Sequence, residues 1–317
     1  MPKGGVEQIP HEEILSLEEI FRIVRIMEAL GVRKVRLTGG EPLVRKNLCK
    51  LVEDIHGLCG IEEIAMTTNG VLFPKQAKSL KEAGLSAVNF SLDTMDPCAF
   101  RKITGVDAWR QVMEAIEEAI KKGFKVKVNC VPVRELNGKD IIRLAELARE
   151  REISLRYIEL MPIGCGREFQ GIPSEEILKG LEEVYGPARP EQEISAEQLA
   201  GPAAYYNFEG FKGKIGFISP MSNKFCDRCN RVRLTAEGRL KLCLHYDFGL
   251  ELKPLLRGGA SDEEIRAAII RAVADKPGEH HFHRSVDAKK ELQKEPTEEG
   301  EQAITHEESR RMVQIGG

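Results

Sequence analysis

Apolar residues recur every three to four positions over Leu15–Leu30 (LSLEEIFRIVRIMEAL), the spacing of one buried helical face. Ser16 stands where an N-cap hydroxyl belongs, and Gly31 where a helix stops. The period then changes. RKVRLT at 33–38 reads as a buried strand that runs into Gly39-Gly40. A helix through LCKLVEDIHGL follows, then the strand EIAMTT at 63–68 and a helix near 74–83. The strand AVNFSL at 87–92, a helix from about 107 to 122 and the strand KVKVNCVPV at 125–133 continue the series. KDIIRLAELARE is the next helix and SLRYIEL at 154–160 the next strand. Strands separated by crossover helices predict an α/β fold with a parallel sheet or barrel. Polar residues gather at the strands' C-terminal ends: Thr38-Gly39-Gly40-Glu41, Thr67-Thr68-Asn69, Ser91 with Asp93, Asn129 and Glu159. In barrel folds that rim is where a site is built.

From about 170 the alternation gives way to one amphipathic helix, PSEEILKGLEEVYG, then a Pro- and Gly-broken stretch and the strand GKIGFISP. EEIRAAIIRAVADKP is a further helix with Pro277 at its end, and QKEPTEEGEQAITHEES is a charged, loose linker. Two regions are expected, 1–169 and 170–317.

A hydrophobic content of 42% supports a real core in the 317-residue chain. Lys and Arg number 47 against 50 Asp and Glu, a net charge of −3 that argues against a nucleic-acid coat and leaves room for a local basic pocket. No apolar run approaches a membrane span and no secretory signal opens the chain, so no membrane partner is expected. Eight cysteines without a disulfide-rich layout suggest a reducing, cytoplasmic setting. Cys49, Cys59, Cys98, Cys130 and Cys165 are scattered and read as buried or incidental thiols.

The other three form a pattern. Cys226, Cys229 and Cys243 read C-x2-C-x13-C within FCDRCNRVRLTAEGRLKLCLHY. A C-x2-C pair on a tight turn points two sulfurs at one centre. Three thiolates suit a [4Fe–4S] cluster with one iron free for a ligand. Alternatively, His245 completes a four-ligand zinc site.

Basic residues add a second pattern. Lys34 and Arg36, Lys125 and Lys127, and Arg231 and Arg233 each stand two apart, so each pair faces one side of its strand. Cations turned into a barrel are costly unless an anion binds among them, and a triphosphate is such an anion. Gly39-Gly40-Glu41-Pro42 gives a turn whose backbone can approach a ligand closely, with a carboxylate able to accept from an ammonium group.

VRLTGGEPLVR, MTTNGVLF, LSAVNFSLDT, KVNCVPV, LRYIELMP, GKIGFISP, the triple-cysteine segment and a terminal IGG occur in that order. Together they resemble the molybdenum cofactor biosynthesis protein A family, the radical-SAM GTP 3′,8-cyclases, over essentially the whole chain. The resemblance implies a radical-SAM (β/α)6-type partial TIM barrel with a C-terminal iron–sulfur segment. It implies conversion of GTP to 3′,8-cyclo-7,8-dihydro-GTP, through a 5′-deoxyadenosyl radical that removes the ribose C3′ hydrogen. It places S-adenosyl-L-methionine (SAM) against Gly39, Gly40, Glu41, Thr68, Ser91 and Met161. It sets Lys34, Arg36, Lys127, Arg156, Arg231 and Arg233 around the GTP phosphates, and a [4Fe–4S] cluster that anchors guanine on Cys226, Cys229 and Cys243. Arg231, Arg233 and the tail glycines Gly316 and Gly317 then belong to the catalytic machinery. The product would pass to a pyranopterin monophosphate synthase, and the family pattern is compatible with a homodimer.

The family's second, reducing cluster sits in a C-x3-C-x2-C motif directly before an MP that this sequence matches at Met1-Pro2. The expectation is therefore a miscalled start or a fragment, with an incomplete barrel that lacks its first strand. A truncated nucleotide- and cluster-binding chain is the alternative reading to a complete enzyme, beside the zinc protein.

Overall fold

The computed structural model describes residues 9–191 and 201–280. Helix α1 (Leu17–Ala29) starts at a reciprocal cap. Glu19 N–H donates to Ser16 Oγ at 3.1 Å and Ser16 N–H to Glu19 Oε2 at 2.7 Å. Gly31, at φ 95°, turns the chain into β1 (Lys34–Leu37). The series continues with α2 (Leu48–His56), β2 (Glu63–Thr68), α3 (Phe73–Glu82), β3 (Ala87–Ser91), α4 (Pro97–Thr104) and α5 (Trp109–Lys121). Next come β4 (Lys125–Cys130), α6 (Ile141–Leu144), α7 (Glu146–Glu150), β5 (Ser154–Ile158) and α8 (Ser174–Tyr185). The remainder is β6 (Arg189–Pro190), β7 (Ala204–Asn207), β8 (Lys214–Ile218), β9 (Arg233–Leu234), β10 (Arg239–Lys241), β11 (Gly249–Glu251), α9 (Lys253–Arg257) and α10 (Asp262–Ala274).

The main sheet runs β1-β2-β3-β4-β5-β8-β7-β6. Its first six strands are parallel, β7 pairs antiparallel with β8, and β6 antiparallel with β7. The period-2 alternation gives the two faces opposite characters. One presents Met66, Val88, Phe90, Val128, Leu155 and Tyr157, all under 2% exposed, to the crossover helices. Phe73 of α3 stands edge-on to Phe90 at 5.3 Å and to Phe124 at 5.5 Å. Each such side chain contributes about 1.5–3 kcal/mol by burial. The other face carries the polar rows described below.

A second core joins the two ends of the described chain. Leu15, Ile23 and Ile26 pack with Leu240, Leu252, Leu256, Ile265 and Ile269. The antiparallel sheet β11-β10-β9 and α10 thereby rest on α1. Arg22 Nε lies 2.7 Å from Asp262 Oδ1 and Arg257 Nε 2.9 Å from Glu19 Oε1 at the same seam.

Three local differences from the sequence reading have physical causes. The helix expected over 139–150 is broken at Ala145 into α6 and α7. Strand β4 stops at Cys130, two residues before Pro132, and the Val131 N–H turns to Asp93 Oδ1 at 2.9 Å. Helix α4 is additional, although its marks are plain: Asp96 accepts from Cys98 N–H, Pro97 opens the helix, and Gly105 closes it at φ 76°. Among the described residues no helix is long and apolar enough to cross a membrane.

Candidate functional site

The polar face of the sheet lines a wide hollow of about 3340 Å³, bounded on one side by the cysteine loop. That is several times the ~300–1,000 Å³ of a single small-molecule site, enough for two ligands side by side. Strand register builds its wall in rows. Lys34 stands beside Glu63, Thr67 beside Asn89, Asn89 beside Lys127, and Asn129 beside Arg156. The rows are laced together. Arg156, 5% exposed, donates from Nε to Asn129 Oδ1 at 2.9 Å and from Nη2 to Asn89 Oδ1 at 3.2 Å. Asn89 Nδ2 in turn donates to Thr67 Oγ1 at 3.2 Å.

Positive charge accumulates on this wall. Lys34 Nζ lies 2.5 Å from Glu63 Oε1. Among the described residues no carboxylate forms an ion pair with Arg36, Lys127, Arg156, Arg231 or Arg233. The consequence is visible in their proton affinities. Burial first, then the neighbouring Arg156 and Arg231, lower Arg36 to about 10. Water still reaches Arg36 from the hollow, so its dehydration is partial while protein crowds it from the other sides. Lys127 falls to about 8, by burial and then by Arg156 and Lys34, with Glu63 offsetting part of the effect. Arg233 falls to about 10 by burial and by Arg231, and the thiols of Cys229 and Cys243 oppose the shift. The six cations named from the sequence therefore share one electrostatic field, and Arg233 also feels two of the cysteines.

At the rim, Gly39 (φ 154°) and Gly40 have open space where a Cβ would project. Glu41 latches this loop to its neighbour: its carboxylate accepts from Leu43 N–H at 3.0 Å, Thr68 Oγ1 at 2.8 Å and Asn69 N–H at 2.8 Å. Thr68 is 2% exposed and also accepts from Gly70 N–H at 3.0 Å. It sits on the helix-facing side of β2, whereas Thr67 lines the hollow. Gly39, Gly40, Glu41, Ser91 and Met161 line it as well. Gly316 and Gly317 lie outside the described residues.

Cys226, Cys229 and Cys243 are half-buried and line the same hollow. The first two flank a single 3₁₀ turn, in which Cys229 N–H donates to Cys226 O at 3.1 Å. Burial would raise the Cys229 thiol. The backbone N–H and guanidinium of Arg231 and the Lys276 ammonium reverse that and hold it below the ordinary thiol value. Burial instead pushes Cys49 up and Cys130 well up. The environment thus favours a thiolate at Cys229, the form that ligates metal. Among the described residues no three His, Cys, Asp or Glu side chains converge on a point that would hold one metal ion. Three half-buried thiols lining one hollow are the soft donor set that an iron–sulfur cluster takes.

Two braces appear in the structure: Glu159, which the sequence placed at the rim without a role, and Lys276, which it did not single out. Glu159, 6% exposed at the end of β5, accepts from Met221 and Ser222 N–H at 2.9 Å and from Ser222 Oγ, which anchors the loop leading to Cys226. Lys276, just after α10, donates to Cys229 O at 2.6 Å and Arg231 O at 2.9 Å. Thr67 and Asn129, already placed at strand ends by the sequence, join the wall, and Asn89 is new beside them. The two-residue period of β2, β3 and β4, in phase with Glu63 and Lys127, is the signal that marks them.

The Radical SAM superfamily model matches residues 2–148, and the Molybdenum Cofactor Synthesis C model matches 153–282. A GTP 3′,8-cyclase of Clostridium perfringens (strain 13 / Type A) is 43% identical over 89% of this chain and 86% of its own length. That of Desulforamulus reducens is 46% identical over 89% and 87%. That of Syntrophomonas wolfei subsp. wolfei is 43% identical over 100% of this chain and 92% of its own.

Proposed function

The chain belongs to the GTP 3′,8-cyclase family, and on that premise we propose that it cyclises GTP to 3′,8-cyclo-7,8-dihydro-GTP, the first step of molybdopterin biosynthesis. SAM and the family's iron–sulfur centres, when bound, supply the one-electron chemistry at ribose C3′ and an open iron for guanine. The residues of this chain supply the rest.

Arg36, Lys127, Arg156, Arg231 and Arg233 take the triphosphate. Without a bound anion, burial and the neighbouring cations lower the proton affinities of Arg36, Lys127 and Arg233, and burial lowers that of Arg156. A bound phosphate relieves both costs, so the strain of the apo site becomes binding energy. Arg156 is already aimed by Asn89 and Asn129, which reduces the side-chain entropy lost on binding. Cys226, Cys229 and Cys243 hold the cluster across the hollow. The observation that carries this reading is that Arg36, Lys127 and Arg156 of the sheet wall, Arg231 and Arg233 beside the loop, and Cys226, Cys229 and Cys243 all line one hollow. A nucleotide with its phosphates on the wall therefore has its base within reach of the cysteine loop.

Gly39 and Gly40 give SAM a backbone to lie against, with Glu41, Ser91 and Met161 around it and Thr68 keeping Glu41 in place. Gly316 and Gly317, outside the described residues, remain assigned to the catalytic machinery by the family resemblance alone. A pyranopterin monophosphate synthase in the same cytoplasm consumes the product.

The test uses the full reading frame that contains these 317 residues, reconstituted anaerobically with iron and sulfide. With GTP, SAM and dithionite it should release 5′-deoxyadenosine and the cyclised nucleotide, detected by mass spectrometry. SAM cleavage that leaves GTP unconsumed would overturn the substrate assignment.

A further inference from the structure

We propose that Lys276 is a positioning residue for the C-terminal cluster, an inference that rests on the cluster reading of Cys226, Cys229 and Cys243. Its ammonium sets the reduction potential of that cluster and fixes the turn from which Arg231 reaches substrate.

Three contacts carry the inference. Lys276 Nζ donates to Cys229 O at 2.6 Å and to Arg231 O at 2.9 Å, and it lies 3.6 Å from Cys229 Sγ. The two carbonyls flank Asn230, so one cation pins both sides of the turn joining a cluster ligand to a phosphate-binding arginine. Arg231 is held from its other end as well: its guanidinium lies 5.1 Å from the Phe225 ring centre and 3.9 Å from Cys229 Sγ. Lys276 is half-buried, where a charge-assisted bond is stronger than at an open surface. Lys276 follows Asp275, the C-cap of α10, and that helix is packed through Ile265 and Ile269 onto α1. The ammonium is therefore delivered by a rigid element.

The chemical consequence follows from the donor position. A cation and an N–H aimed at a ligating sulfur withdraw electron density from it and favour the more negative, reduced state of the cluster. Lys276 thus raises the potential. Arg could supply charge and donors from the same place, whereas Met supplies neither while filling a similar volume.

The experiment is a redox titration of the anaerobically reconstituted protein, followed by electron paramagnetic resonance, with K276M and K276R beside the unchanged chain. K276M should lower the potential of the cluster by about 59 mV, a tenfold change in its oxidised-to-reduced ratio for a one-electron couple. K276R should return most of the shift. Iron loss in K276M with full loading in K276R would also support the cationic brace. An unmoved potential in K276M would overturn the proposal, as would iron loss in both variants together with a lowered melting temperature of the apo protein, which marks a residue that serves folding alone. If the unchanged chain binds no cluster, the cluster reading itself fails, a result distinct from an intact cluster whose potential ignores residue 276.

Discussion

Thr67 and Thr68 are adjacent in sequence and serve opposite sides of the sheet. Thr67 faces the hollow and accepts from Asn89, while Thr68 is buried and donates to Glu41 Oε1 at 2.8 Å. The pleat alone makes the difference. Thr68 therefore acts on the rim through Glu41, which it shares with the N–H groups of Leu43 and Asn69.

Thr68→Val should destabilise the protein by about 1–3 kcal/mol, because the Gly70 N–H and the Glu41 carboxylate each lose a partner. Thr68→Ser should recover most of it. Urea denaturation measures both, and a Val variant as stable as the unchanged chain would remove the latch.

Arg36→Ala and Arg231→Ala should each weaken GTP binding by roughly 10–150-fold, the equivalent of a charge-assisted hydrogen bond of about 1.5–3 kcal/mol. Guanosine, which has no phosphate, should bind them as it binds the unchanged protein. Calorimetric titration separates the two ligands, and equal losses for both would exclude a phosphate role.

Lys127 gives a pH signature. Its proton affinity in the folded protein is lowered to about 8 from the ordinary 10.5. Between those values the unfolded chain holds more protons than the folded one, so stability rises with pH across that window. The penalty is fully present below about pH 8 and is gone above the ordinary lysine value. Lys127→Met should raise the melting temperature of the apo protein at pH 7 and flatten its rise from pH 8 upward. The same variant should weaken GTP binding at pH 7, where the charged lysine meets phosphate. A variant that melts no higher at pH 7 would show that Lys127 carries no penalty.

Cys226→Ser, Cys229→Ser and Cys243→Ser should each reduce bound iron after reconstitution and lower the melting temperature of the loaded protein, since ligand loss is coupled to folding. Cys49→Ser should leave the iron content unchanged. Equal losses in both groups, read by iron assay, would dissolve the distinction between the spaced and the scattered thiols.

Much of the architecture was legible because the crossover helices and strands each have a long, regular period. The Leu15–Leu30 pattern became α1 with its Ser16 cap, and the strand at 63–68 kept its ends. The inward cations were legible for the same reason, since Lys34 and Arg36 alternate with Val35 and Leu37. What escaped was short or distant. Strands β9, β10 and β11 have two or three residues, too few to show a period. Lys276 meets Cys229 only because α10 is packed on α1, a tertiary fact that no local spacing encodes. Asn89 was visible as a polar residue in an apolar strand. Its partners, Thr67 and Arg156, come from two other strands and appear only once register is known.

The docking of α10 on α1 also orders events at the ribosome. Arg22 and Asp262 stand 240 positions apart, yet they close one seam over Ile23, Ile26, Ile265 and Ile269. At about 5–20 residues per second, α1 leaves the exit tunnel roughly 10–50 s before its partner exists. During that interval its Ile23 and Ile26 face is naked and open to chaperone capture. The cysteine loop receives its Lys276 brace only after nearly the whole described chain has been synthesised.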